Sequence, residues 1–181
     1  TTLQEHLDRC ARANTDNPVT IWALGRRAIL LGKLNRPEEA QADLLRSRGI
    51  PTRAAGTPVE LINLDPHYNA GLRHTWNGDS FPDLAPGTTR FAGTDFDVRG
   101  LVQLNGQELA RRTLQYPDHI EGIRIERKLA RFHALHAVAW TAKDGEVVAE
   151  WVLHYADGQS RNVPVVYGED VRDWWIWPRQ P

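Results

Sequence analysis

The 181-residue chain contains no methionine and one cysteine, Cys10. A lone thiol excludes an internal disulfide and a cysteine-based zinc site. A chain without methionine that opens on Thr1 gives the expectation of a piece of a longer protein. The missing signal peptide then carries no information on compartment, and localisation stays unassigned. Lysine is scarce as well: Lys33, Lys128 and Lys143 are the three lysines among 22 basic residues. Arginine is the better donor for planar, bidentate contacts, although codon bias explains the skew without any function. Long apolar runs are missing. The longest aliphatic stretch, Ala28-Ile29-Leu30-Leu31, is far short of the roughly 20 residues that cross a bilayer, so no membrane partner is expected. Excess charge of one sign is missing too: the net charge of −1 argues against a dedicated nucleic-acid binder.

What remains is an ordinary globular composition, 41% hydrophobic and 25% charged, enough for one domain with a core and a short helical appendage. Charge divides it. Residues 1–53 carry 9 basic and 6 acidic side chains, and residues 54–181 carry 13 and 17. The first part reads as helical. Thr2 caps a helix to about Ala13 with Leu3, Leu7 and Cys10 on one stripe. Asn14 to Pro18 breaks it. Ile21, Leu24, Ala28 and Leu31 recur at helical spacing in a second helix. Pro37-Glu38-Glu39 opens a third, whose apolar face is Ala40, Leu44 and Leu45 and which Gly49 ends.

Residues 54–58 read as a linker. From Val59 the period turns to two. Strands are expected at 61–64, 94–104, 120–125, 132–140, 147–155 and 160–166, with Asp144-Gly145 and Asp157-Gly158 as hairpin turns. Short strands with frequent turns and no long helix between them favour a sandwich or barrel over a parallel α/β sheet.

Two resemblances follow. Ala28, Asn35, Ala40 and Leu44 stand where the small, turn and large positions of a tetratricopeptide repeat fall, so residues 1–53 resemble the end of a helical repeat array. Phe96-Asp97-Val98-Arg99-Gly100, Leu135-His136-Ala137, His154-Tyr155-Ala156-Asp157-Gly158 and Tyr167 to Trp175 resemble the galactose-binding-like β-sandwich modules of large bacterial multidomain proteins, over roughly 59–177. This resemblance implies a mainly β fold, an antiparallel jelly-roll β-sandwich over 59–181 behind the helical segment. It also implies a non-catalytic binding or interaction role, with a glycan or a protein partner as ligand and with no cofactor; the alternative is a purely structural or protein-interaction module that packs on its parent protein's domains or on a second copy.

The candidate ligand contacts are aromatics beside hydrogen-bonding groups, the composition of a sugar site. His67, Tyr68, Asn69, Arg73, Trp76 and Asp79 belong to a long polar loop, and Trp174 and Trp175 to an aromatic C-terminal stretch that also holds Trp177. Packing competes with ligand contact for every one of them. Asp97 and Arg99 are expected to form a structural ion pair. His133, His136 and His154 invite a metal, but residues three apart in a strand face opposite sides, so no metal site is assigned. A small hydrolase using His136 or His154 with a nearby acid is the remaining alternative, and no catalytic motif supports it.

Overall fold

The computed structural model describes residues 17–73, 81, 84–112 and 116–175. The expected helix at 2–13 lies outside them, as do Trp76, Asp79 and Trp177. The chain divides into two compact units, one running to Lys128 and the other from Leu129. Residues 54–58 lie inside the first.

The first unit begins with two helices, α1 (Pro18–Lys33) and α2 (Pro37–Ser47). Asn17 caps α1 through its side chain, which accepts from Val19 N–H at 2.9 Å, and Pro18 fills the first turn where no donor is needed. Thr20, Leu24, Ala28 and Leu31 form its buried stripe. The opposite side is apolar as well: Val19, Trp22, Ile29, Leu30 and Leu34 are exposed, with the Arg26 guanidinium 5.6 Å from the Trp22 ring. Asp43 of α2 is 1% exposed and lies against Arg27 of α1, which donates to it through Nε and, at 2.7 Å, through Nη2. This fork fixes the two helices in register and satisfies the buried carboxylate.

Ile50 follows α2 directly and packs with Leu45, Tyr68, Leu64 and Val102. It joins the helices to a two-stranded pair, β1 (Ala70–Gly71) and β4 (Gly100–Leu101). Backbones approach closely here. A Cβ on Gly71 would stand 2.2 Å from the Arg48 carbonyl oxygen, and one on Gly100 would stand 3.0 Å from Ile50 Cδ1. A second antiparallel pair, β2 (Gly87–Phe91) with β3 (Thr94–Val98), closes through Ala92-Gly93 with both φ angles positive. That is the twist a two-residue hairpin needs, and Gly93 adopts it freely whereas Ala92 is strained. A short helix, α3 (Gln107–Arg111), follows.

The second unit is built on β5 (Val147–His154) paired antiparallel with β6 (Ser160–Val166). Val165, Tyr167 and Val171 are its buried core, with Val138, Ala142, Val148 and Trp151 packed on them. Arg172 forks onto Asp144 at 2.7 and 3.2 Å and stands over the Tyr167 ring, tying the Asp-Gly turn to the end of the unit.

This architecture corrects the jelly-roll expectation. Among the described residues the sheets are three separate antiparallel pairs, and the fold is mixed α/β. The strands that a sandwich needs at 61–64, 120–125 and 132–140 are irregular. The cause is local. Gly122 at φ +78° interrupts Ile120-Glu121-Gly122-Ile123-Arg124-Ile125, and Glu126 at φ +50° ends it. The run at 132–140 is rich in alanine, a poor strand former, and ends on Trp140 at φ +70°.

Candidate functional site

Arg99 sits between β3 and β4 and is 2% exposed. Its Nε donates to both oxygens of Asp97 at 3.0 and 3.1 Å, its Nη1 to the Pro51 carbonyl at 3.2 Å, and its Nη2 to Asn63 Oδ1 at 3.1 Å. Nη1 also lies 2.5 Å from Asp65 Oδ1, an ion contact outside hydrogen-bond alignment. Asp97 has a second cation: Arg53 Nη1 donates to its Oδ2 at 2.8 Å. Arg53 then uses Nη2 to hold the Leu61 carbonyl at 2.5 Å. Two arginines and two aspartates therefore cancel in charge and bind three chain segments together, 51–53, 61–65 and 97–99. Burial works against the charge on Arg99, but its hydrogen bonds to Asp97 and the attraction of the Asp65 and Asp97 carboxylates outweigh it and hold its pKa above the ordinary value.

The sequence placed Asp97 and Arg99 as an intrastrand pair. The contact is present, but the larger part of the network, Arg53, Asn63 and Asp65, lay in a segment read as linker and strand. Spacing alone gave no signal for it.

The loop candidates separate by role. The Tyr68 hydroxyl donates to the Asp97 carbonyl at 3.2 Å, and its ring lies 5.5 Å from the Arg99 guanidinium. Asn69 continues the β1–β4 ladder with its side chain, donating to the Gln103 carbonyl and accepting from Gln103 N–H, each at 2.8 Å. Both are framework residues. Arg73 is exposed. His67 is half-buried and lines a groove. Trp174 and Trp175 meet edge to face at 5.3 Å in the second unit, with Trp175 49% exposed. Residues 171–175 are not a strand. His136 lies 6.2 Å from the Trp151 ring, and His154 pairs with Ser160 at the end of the hairpin. Among the described residues no group of three His, Cys, Asp or Glu could hold a metal ion.

The groove holds about 560 Å³ and lies wholly in the first unit. Arg53, Thr57, Val59, Leu61, Ile62, Asn63, Pro66 and His67 form one wall, and Gly122, Arg124 and Arg127 the other. The network underlies the first wall directly, because Arg53 and Asn63 belong to both. The lining has three guanidiniums and an imidazole and no carboxylate. Sequence reading singled out only His67 among these residues.

Burial raises the pKa of Tyr68 above its ordinary value, against the lowering effect of Arg99. The folded chain thus keeps the neutral phenol at a pH where the unfolded chain ionises. That stabilisation is fully present below the unfolded value of about 10 and is lost as pH rises through the folded value. Tyr68→Phe is expected to cost about 0.5–1.5 kcal/mol at neutral pH, the size of one hydrogen bond. It should also flatten the loss of stability above about pH 10. Denaturant midpoints on either side of that pH check both.

Compared with protein-family models, curated proteins and solved structures, the chain matches none of them.

Proposed function

We propose that this chain is a non-catalytic binding module whose ligand-facing surface is the groove between residues 53–67 and 122–127. The observation that carries this reading is the donor set. Asn63, His67, Arg124 and Arg127 line one open cavity, and the buried ion network of Arg53, Asp97 and Arg99 underlies it. Side chains that turn donors toward a cavity, beside apolar Val59, Leu61, Ile62 and Pro66, are equipped to hold a ligand. The one hydroxyl of the lining, on Thr57, donates to the Ala54 carbonyl at 2.8 Å, so it is not paired with the His67 imidazole for nucleophilic work.

Calorimetric titration of the full chain with neutral and anionic oligosaccharides and peptides tests this. The expected result is saturable binding by at least one of them, weakened in Arg127→Ala, with the ligand recovered unchanged. Chemical conversion of a ligand, or binding indifferent to the groove substitution, overturns it.

A glycan contact at Trp174 and Trp175 is a second reading, favoured by the half-exposed Trp175 ring propped on its neighbour. Stacking on that ring would shift tryptophan fluorescence with sugar, and Trp175→Ala would abolish the shift.

A further inference from the structure

We infer that the groove takes an acidic peptide segment. The inference rests on the binding reading above and names the ligand class for the same site.

Charge comes first. Arg127 uses Nε on the Ile125 carbonyl at 3.2 Å, and its two terminal nitrogens have no partner among the described residues. Arg124 reaches Glu126 only at 3.4 Å and is 82% exposed. Both guanidinium forks are open to carboxylates, which they match in a planar, two-point contact.

The main chain comes second. Among the described residues the N–H and C=O groups of 120–127 make no backbone hydrogen bond, and neither do those of Ile62 and Asn63. Both walls therefore offer free donors and acceptors to an incoming peptide backbone. A Cβ at Gly122 would meet nothing within 4 Å, so the wall is open there.

The third feature separates a peptide from other anions. Among the described residues no Trp, Tyr or Phe lines the groove. A glycan or a nucleotide would want an aromatic face on which to stack a ring. Val59, exposed at 68%, and the half-buried Leu61 and Ile62 instead fit aliphatic side chains placed between acids.

The test is fluorescence anisotropy of the full chain with a labelled peptide alternating Glu and Val. Gln/Val and Lys/Val peptides, oligogalacturonate and tripolyphosphate complete the set. The acidic peptide should bind saturably and lose affinity as salt rises, while the neutral and basic peptides do not bind. Arg124→Glu with Arg127→Glu should weaken binding about tenfold or more. Both side chains are exposed, and an unchanged circular dichroism spectrum confirms that the variant folds. Equal binding of the Gln/Val peptide, or binding unaffected by the double variant, overturns the inference. Binding of oligogalacturonate or tripolyphosphate without the peptide overturns the peptide assignment and leaves the binding reading standing. No saturable binding by any of the three anions overturns the inference, and if the neutral ligands of the calorimetric titration fail as well, the binding reading falls with it.

Discussion

Replacing Arg99 by methionine is expected to lower the stability of the first unit by about 3–5 kcal/mol. Methionine fills much of the volume, so the loss is electrostatic and not a cavity effect. Asp97, whose side chain is 4% exposed, keeps Arg53 but loses the fork on its other side. Asp65 loses its cation, and the Pro51 carbonyl and Asn63 lose a donor. Breaking a buried pair from one side costs more than the pair is worth against an apolar replacement, because the partner charge stays behind. Against a total stability of about 5–15 kcal/mol, this removes a large share. Arg99→Lys should recover only part of it, since an ammonium cannot serve two carboxylate oxygens, a carbonyl and an amide with fixed geometry. Denaturant melts give the size, and hydrogen exchange of 17–73 and 94–111 locates the effect. A loss below about 1 kcal/mol, the size of an exposed pair, would mean that the network is solvated and does not hold the groove floor.

Ile50→Ala is expected to cost about 2–5 kcal/mol, the range for deleting buried aliphatic groups. Ile50 is 1% exposed and touches helix, loop and strand residues at once. Its Cδ1 faces Gly100, so the vacated space lies between α2 and the β1–β4 pair. Because Gly71 and Gly100 already bring backbones into contact, the surroundings cannot collapse inward to fill it. The variant should therefore fall at the upper part of the range, and the exchange protection of α2 and of residues 100–101 should drop together. Loss of protection in only one of them would show that Ile50 does not couple the two.

The helices were legible because their signals are local. Pro37-Glu38-Glu39 and the recurrence of Leu24, Ala28 and Leu31 are signals written within a few residues of one another; Asn17-Pro18, read as a break, caps α1, and Thr20 is buried where Ile21 was expected. The hairpin at 147–166 was legible for the same reason: two β-rich runs flank an Asp-Gly turn. The sandwich was not there to be read. Period-two patterns at 120–125 and 132–140 describe which residues are apolar, not whether a partner strand exists, and positive φ at Gly122, Glu126 and Trp140 breaks the runs. The groove was illegible for a different reason. Arg53 and Arg124 lie in segments that composition marked as linker and strand, and only the fold brings them to one cavity. Tyr68 and Asn69 were chosen for polarity that the framework in fact consumes.

The Arg99 network also orders events in time. Its ligands come from positions 51, 63, 65 and 97, with Arg53 bound behind them, so the loops it closes span up to 48 residues. The α1–α2 hairpin needs contacts only 16 residues apart at Arg27 and Asp43. Closing long loops is slow because their entropy must be lost before any contact returns it. The helical hairpin therefore forms early in folding, and the charge network locks last. Until it does, Arg53 and Asn63 are unplaced, and the groove exists only at the end of the folding reaction.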